Sequence, residues 1–421
     1  MKSMHAALAA GFIAVLSMPA IAAEKPLATI PVKVGANADV YPTQVETDGG
    51  ITVQTMDGRA TFVLDGRLQF DNLFYTGIYN DSHAGGYASD TKTRRMRLGV
   101  GGHLDQEWEW QFTLDVNNDT GKATLDTGQI TYKGFSYADV NVGRFKRPFL
   151  LDTLTSSKWL SVVERSLAYD VVRSHVSDFS VMGSKLYDVG AAGKLSWYAA
   201  VLNEGVEDYA GGETPAGKDQ YQYYGRVAYA PWAKKGDVLH FGLAAGELNP
   251  AAGSTIAIGT RLGVSSADLH SILYTVDDDQ QLGGEVAYEL GPFSAQGEYV
   301  LRRLNLTAGD SADVTAGYLQ LTYTLTGEPR VYKPYWARFD RVLPSGEHAF
   351  GAVELVARYD DLRMDNPGAA AATGRVGTLG VNWYLNSHLH LMLDYLNSKG
   401  ENFGTTETTG DAVTTRIAFQ F

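Results

Sequence analysis

The last ten residues of the 421-residue chain alternate strictly between two kinds of side chain. One set is largely apolar and ends in an aromatic residue: Val413, Thr415, Ile417, Phe419 and Phe421. The other set is small or polar: Ala412, Thr414, Arg416, Ala418 and Gln420. Successive side chains of a strand point to opposite faces, so the pattern predicts a strand between hydrocarbon and water. A chain with such strands is either a secreted soluble protein or, if the strand lies in lipid, a closed barrel, because lipid leaves an open sheet edge without hydrogen-bond partners.

The N-terminal residues indicate export from the cytoplasm. Lys2 and His5 precede the apolar residues 6–18, and Ala20-Ile21-Ala22 offers a cleavage site for a secretory signal peptide. The predicted organisation has three parts: signal peptide 1–22, N-terminal periplasmic arm 23–56 and transmembrane β-barrel 57–421. After the signal peptide, no uninterrupted apolar run approaches the ~20 residues that a membrane-spanning helix needs.

Composition agrees with a large membrane barrel. The chain has 46 Gly, 24 Tyr, 16 Phe and 7 Trp, as expected for crowded strands between two aromatic girdles. It has no Cys, so sheet closure rather than disulfides must supply stability. A net charge of −13 argues against nucleic acid as a partner. No cofactor and no metal site are expected, since His388 and His390 lack an evident third ligand.

Alternating patterns recur along the chain and predict about sixteen antiparallel strands of roughly ten residues. Residues 107–117 are the clearest case. Trp108, Trp110 and Phe112 fall on one face, while Glu107 and Glu109 fall on the other. The predicted fold class is therefore all-β, a transmembrane antiparallel β-barrel.

The same alternation assigns eight basic side chains to the inner face: Arg67, Arg95, Arg97, Lys133, Arg226, Arg302, Arg358 and Arg416. Ten acidic residues also face inward: Asp65, Asp71, Glu107, Glu109, Asp115, Glu285, Glu289, Glu298, Glu354 and Asp394. Two interpretations stay open. Arg95 and Arg97 could form an anion-guiding ladder, or they could pair with Glu107 or Glu109 on the next strand. The outcome depends on whether acids and bases lie on separate walls.

The longest interruption of the strand pattern, residues 148–178, is unusually apolar. Phe149, Leu150, Leu151 and Trp159 are side chains that a hydrated external loop does not expose. We therefore expect this third loop to fold into the barrel and narrow the pore.

At this loop the chain resembles the phosphate-selective porin O and P family. The resemblance rests on residues 143–149, 154–157 and 164–167, and on later segments such as 325–330. It implies a sixteen-stranded, trimeric porin of the bacterial outer membrane whose third loop constricts each pore. It also implies that an arginine ladder and a lysine cluster guide phosphate. On these motifs, four further residues are predicted to line the pore: Arg144, Lys146, Lys158 and Arg165.

The function expected from the sequence is passive diffusion of small anions, with phosphate or polyphosphate as the expected solutes, without enzymatic activity. The expected partners are these anions, outer-membrane lipid and two further copies of the chain. A general small-solute porin is the main alternative. An outer-membrane enzyme on a barrel scaffold would need a nucleophile beside a base, and no such grouping is evident. An adhesin would need larger external loops.

Overall fold

The computed structural model describes residues 30–33, 40–46, 50–80, 86–116, 121–172, 179–204, 220–250, 254–266, 271–401 and 408–421. The predicted signal peptide lies outside these residues. The strands are β1 (Ile30–Lys33), β2 (Val40–Glu46), β3 (Ile51–Thr55), β4 (Ala60–Tyr75), β5 (Ala88–Leu104), β6 (Trp108–Val116), β7 (Ala123–Tyr132), β8 (Asp139–Arg144), β9 (Phe179–Asp188), β10 (Lys194–Glu204), β11 (Gln220–Lys234), β12 (Asp237–Asn249), β13 (Ser254–Gly259), β14 (Ser271–Leu290), β15 (Phe293–Leu306), β16 (Ser311–Thr324), β17 (Arg330–Lys333), β18 (Arg338–Val342), β19 (Ala352–Asn366), β20 (Ala369–Tyr384), β21 (Leu389–Glu401) and β22 (Thr408–Gln420).

Helical structure is sparse in the described ranges. Helix α1 (Leu151–Leu154) and helix α2 (Leu167–Val172) lie in the third loop, and short 3-10 turns occupy Gly77–Tyr79 and Gly190–Ala192. None of the described helices has the length and apolar character to cross a membrane.

Sixteen of the strands close into one antiparallel barrel. The barrel strands are β4 to β12, β14 to β16 and β19 to β22, and each pairs with the next one in this order. Strand β12 thus pairs with β14, β16 pairs with β19, and β22 closes the barrel by pairing with β4. The last residue completes the seam, because the Gly66 amide donates to the Phe421 carbonyl at 2.9 Å. The closed sheet leaves no open edge in the membrane, and the predicted fold class is confirmed.

The outer surface carries the lipid-facing side chains that the alternation predicted. Trp108 and Phe112 on β6 are exposed outward, as are Leu243, Tyr299 and Leu379 on later strands. Turns such as 235–236 and 291–292 are short at the end that holds Phe421, while longer loops lie at the other end. Outer-membrane barrels have short periplasmic turns, so the end with Phe421 is periplasmic.

Before the barrel, the predicted arm of residues 23–56 contributes three short strands to the same sheet. Strand β3 pairs with residues 61–64 of β4, just beyond the point where Phe421 ends its pairing with β4. Strand β2 pairs with β3, and β1 with β2. Strand β3 therefore covers an edge of β4 that β22 is too short to reach. The division into signal peptide, arm and barrel stays a prediction.

Candidate functional site

The third external loop folds into the barrel. We call residues 145–172 the constriction loop; the remainder of the predicted segment 148–178, residues 173–178, lies outside the described residues. Phe149, Leu150, Leu151 and Val163 are at most 1% exposed, buried between the loop and the barrel wall. Gly283 of β14 makes room for them, because a Cβ there would stand 2.6 Å from Leu150 Cδ2. The predicted insertion of this loop is confirmed.

Carboxylates of the barrel wall hold the backbone amides of the loop. Glu298 accepts from the Asp152 amide at 2.7 Å, and Asp394 accepts from the Val163 amide at 2.6 Å. Asp360 accepts from the Leu167 amide, at the start of α2, at 3.0 Å. A short loop segment cannot satisfy its own backbone groups, so these acids take the place of a sheet neighbour.

Arginines of the same wall hold loop carbonyls. Arg416 donates to the Val163 carbonyl at 2.5 Å and pairs with Asp71, while Arg358 donates to the Glu164 carbonyl at 2.9 Å. Arg302 likewise donates to the Val171 carbonyl. With Arg226, these arginines are only 1–6% exposed, so almost none of their surface is open to the channel. We assign them to anchoring, although the alternation placed them correctly on the inner face.

A second lumenal element rises from the periplasmic side. Strands β17 and β18 form a hairpin inside the long periplasmic turn 325–351. Arg226 donates to the Ala337 carbonyl at 2.8 Å, and Arg338 donates to the Leu154 carbonyl of the constriction loop at 2.6 Å. The hairpin thus supports the constriction loop from below. The strand pattern in the sequence does not reveal this hairpin, although four aromatic residues within 332–339 are an unusual content for a periplasmic turn.

The opposite wall, formed by β4 to β8, stays open and carries the basic channel lining. Arg67 donates to Ser157 Oγ at 2.6 Å, Arg95 to Gln69 Oε1 at 2.9 Å and Lys146 to the Thr153 carbonyl at 3.2 Å. These three cations therefore contact neutral groups. Within the described ranges, no ion pair with a carboxylate engages them.

Arg97 differs from its neighbours, since it contacts Asp115 and Asp126 at 2.7 Å each. Arg97 therefore pairs with a carboxylate of the next strand, as the cross-strand alternative expected, but the acid is Asp115 and not Glu107 or Glu109. Arg95 contacts an amide instead. Glu109 pairs instead with Lys133.

Two β-bulges add charges that simple alternation excludes. Gln69 and Phe70 of β4 lie opposite Arg95 and Thr93, so Arg94 is an extra residue in β5. Arg94 then turns inward and forms a bidentate pair with Glu164, at 2.7 and 3.0 Å. A second register shift inserts Asp126 in β7. The signal that could have revealed the first bulge is an arginine at a position that would otherwise face lipid.

The remaining predicted pore residues lie at the margins of the channel. Lys158 pairs with Asp65 at 2.8 Å, and Lys133 lies over the Tyr335 ring of the hairpin. Arg144 donates to the Leu125 carbonyl at 2.8 Å. Arg165 is 7% exposed and holds Asp152 and the Thr155 carbonyl, which fixes the shape of the constriction loop.

The two walls thus differ in how far their charges are exposed, and each wall carries both acids and bases. Glu285, Glu298, Glu354, Asp360 and Asp394 are at most 7% exposed beneath the constriction loop or the hairpin. The half-buried cations that line the open side belong to β4, β5 and the loop edge. Because the acids beneath the loop are covered, a solute meets chiefly the open wall, where Arg67, Arg95 and Lys146 lie beside the mixed group of Arg97, Asp115 and Asp126.

Cavities lie above and below this constriction. The outer one, of about 230 Å³, is lined by Arg94, Arg95, Tyr169 and Arg261 among others. The inner one, of about 350 Å³, is lined by Asp65, His103, Gln111, Trp336 and neighbours. No group of three or more His, Cys, Asp or Glu in the described part of the chain is arranged to hold a metal ion.

Burial and neighbouring charges shift the pKa values of two side chains in the constriction loop. Burial lowers the pKa of Lys146 well below the ordinary lysine value of 10.5, and Arg165 and Arg338 lower it further. Burial would raise the pKa of Glu164, but Arg94 and Arg416 outweigh it and hold this pKa below its usual range. The constriction loop therefore holds a charged carboxylate at Glu164 and, at Lys146, an amine that loses its proton more easily than an ordinary lysine.

We expect the anion preference of the channel to fall as pH rises toward 10.5. Raising the pH through the lowered pKa of Lys146 removes its charge, so the protonated, anion-attracting form is the low-pH form. Reversal potentials measured at several pH values check this. Lys146→Met should start with a lower anion preference and change less with pH. If Lys146→Met and wild type changed equally with pH, Lys146 would not be the group that sets the pH dependence.

A closed barrel with a loop folded into its lumen is the architecture of a bacterial outer-membrane porin. The model of the family "phosphate-selective porin O and P" matches residues 62–421, and the chain belongs to this family. Porin O of Pseudomonas aeruginosa is 31% identical over 414 residues, covering 90% of this chain and 92% of that protein. The predicted family and the outer-membrane location are confirmed.

Solved structures of low sequence identity share the fold. An OmpT variant of Vibrio cholerae lacking loop L8 has a TM-score of 0.57 at 14% identity, covering 86% of this chain and 100% of that one. The anion-selective porin from Comamonas acidovorans has a TM-score of 0.55 at 13% identity, with the same two coverages. At these identities the likeness concerns the barrel architecture.

Proposed function

We propose that the channel passes small anions by passive diffusion, with phosphate or polyphosphate as the preferred solutes. The observation that carries this proposal is the group of cations on β4, β5 and the loop edge. Arg67, Arg95 and Lys146 lie there bound to neutral groups, while most of the lumenal acids are covered by the constriction loop and hairpin.

The chemistry of these groups suits a permeating oxyanion. A guanidinium presents a planar fork that can bind two phosphate oxygens, and an ammonium adds a compact charge. Neighbouring cations let an anion exchange one partner for the next without entering a deep well, which conduction requires. Gln69 and Ser157 hold Arg95 and Arg67 in place without neutralising them.

The descriptions of related proteins support the proposal. The family is described as phosphate-selective, and the Comamonas porin is described as anion-selective. A trimeric form is recorded for OmpT of Vibrio cholerae, and we extend the expectation of a homotrimer to this chain. We also propose that the channel has no catalytic activity and acts by diffusion alone.

A general small-solute porin is the second candidate, and one observation favours it. Arg97 faces two carboxylates, Asp115 and Asp126, so this part of the lining carries charges of both signs. A channel with such a mixed section would admit neutral and weakly charged solutes as well.

The test is the reversal potential of purified channels in a planar bilayer under a KCl gradient, repeated with millimolar phosphate. An anion-selective potential together with block by phosphate supports a phosphate-binding pore. An anion-selective potential without block retains anion passage and removes phosphate as the preferred solute. A neutral or cation-selective potential overturns the proposal in favour of the general porin.

A further inference from the structure

The open wall carries a row of charged side chains that runs across the strands at one height of the channel. Arg67 of β4 is the register partner of Arg97 of β5, and Arg97 is the partner of Asp115 of β6. Asp126, the extra residue of the bulge in β7, contacts the same guanidinium at 2.7 Å. Neighbouring strands are about 4.8 Å apart, so the charge of the wall changes sign within roughly 10 Å.

The two carboxylates of this row keep acceptor capacity that the protein does not use. Asp115 and Asp126 both bind Arg97 through Oδ2. Within the described residues, no hydrogen bond reaches Oδ1 of either acid, and neither of these atoms is buried. The two side chains are 27% and 15% exposed. One guanidinium therefore serves two acids, and each acid keeps one oxygen for a donor that arrives through the channel.

Cations of the same wall lie next to these acids. Arg95 stands two residues from Arg97 in β5, which makes it a diagonal neighbour of Asp115 at roughly 7–8 Å. Arg95 and Arg67 each donate to a neutral group, so their charges also act on a solute. The wall thus presents N–H donors and carboxylate acceptors side by side, at a spacing that one small molecule can span.

We propose that the open wall binds small solutes that carry both an oxyanion and an ammonium group, with aminoalkyl phosphates as the simplest class. This inference rests on the proposed function, because the same cations would hold the oxyanion. Arg95 and Arg67 donate to the phosphate oxygens, while Asp115 and Asp126 accept from the ammonium. An ammonium has three donors, so it can bind the free oxygens of both acids at once.

The charge pattern separates such a solute from a simple phosphate ester. An ammonium group lowers the net negative charge of the molecule, so a channel lined by cations alone would bind it more weakly than a hydroxyl analogue of the same size. The two carboxylates reverse this order, because they attract the ammonium and repel any further negative charge. The order of affinities for the two compounds therefore reports directly on Asp115 and Asp126.

The test measures how 2-aminoethyl phosphate and 2-hydroxyethyl phosphate block the chloride current of purified channels in a planar bilayer. Wild type should be half-blocked by the amino compound at an about tenfold lower concentration, as expected for one ion pair in a partly hydrated channel. The variant D115N/D126N should lose this preference, because asparagine keeps the size of the side chain and still accepts from Arg97. The variant R95Q should weaken block by both compounds to a similar extent.

The matched control is D313N/D361N, which removes two carboxylates from the outer face of the barrel, where each pairs with an exposed arginine. It should keep the preference of wild type. Equal block of wild type by the two compounds would overturn the inference, and so would a preference that persists in D115N/D126N.

Inorganic phosphate, tested alongside, distinguishes this inference from the proposed function. Block by inorganic phosphate without a preference for the amino compound would overturn the inference alone. Absence of block by all three compounds would overturn phosphate binding in the channel as well.

Discussion

Replacing Arg416 with Met is expected to lower the free energy of unfolding by about 3–5 kcal/mol. Arg416 is 1% exposed and contacts Asp71 at 2.7 Å through two nitrogens. It also donates to the Val163 carbonyl of the constriction loop. Methionine fills a similar space but leaves the Asp71 carboxylate buried without its cation, and this uncompensated charge is the source of the loss.

Denaturant unfolding in detergent micelles measures this effect. Arg59→Gln is the matched control, because the Arg59 pair with Asp105 is 62–68% exposed and should contribute less than about 1 kcal/mol. The Arg416 variant should also show a larger single-channel conductance, since the constriction loop loses a contact at Val163. If both variants lost the same small amount of stability, Arg416 would not be an anchor.

Replacing Arg95 with Gln is expected to lower the anion-to-cation permeability ratio by about tenfold. Arg95 contacts only the neutral Gln69 amide in the described structure, so its charge acts on the permeating ion. Two unit charges a few ångströms apart in a partly hydrated channel attract by about 1–2 kcal/mol, which corresponds to roughly a tenfold change. Glutamine keeps a polar side chain of comparable reach, so folding should be little affected.

Asp126→Asn is the control with the opposite sign. Removing the Asp126 charge leaves Arg97 with Asp115 alone, and the permeability ratio should rise. Both variants are measured by reversal potential under the same salt gradient. A ratio that did not change in Arg95→Gln, or that fell in Asp126→Asn, would show that these charges do not face the permeating ion.

Much of the fold could be predicted because lipid imposes a simple rule on each strand. The alternation in β22 and β6 records one apolar and one polar face, and that rule is local in the sequence. The inserted loop could also be predicted, since Phe149, Leu150 and Leu151 have no place in a hydrated loop. These features depend on the residue itself and its immediate neighbours.

Which lumenal charges line the channel and which ones anchor the constriction loop could not be predicted in this way. Arg95 and Arg358 look alike in the sequence, yet one lies on the open wall and the other lies under the loop. That difference depends on where the loop docks, which is set by contacts across long stretches of chain. The bulge at Arg94 and the ascending hairpin likewise depend on register and three-dimensional packing.

The contact between Arg416, Asp71 and the Val163 carbonyl joins the first barrel strand, the last one and the constriction loop. Asp71 and Arg416 are 345 positions apart, so this contact cannot form until nearly the whole chain has been placed. The constriction loop therefore gains its last wall contacts only when β22 pairs with β4. A barrel whose assembly stops before β22 pairs with β4 would lack the Arg416 contacts. Its constriction loop would then be held to the wall by fewer hydrogen bonds.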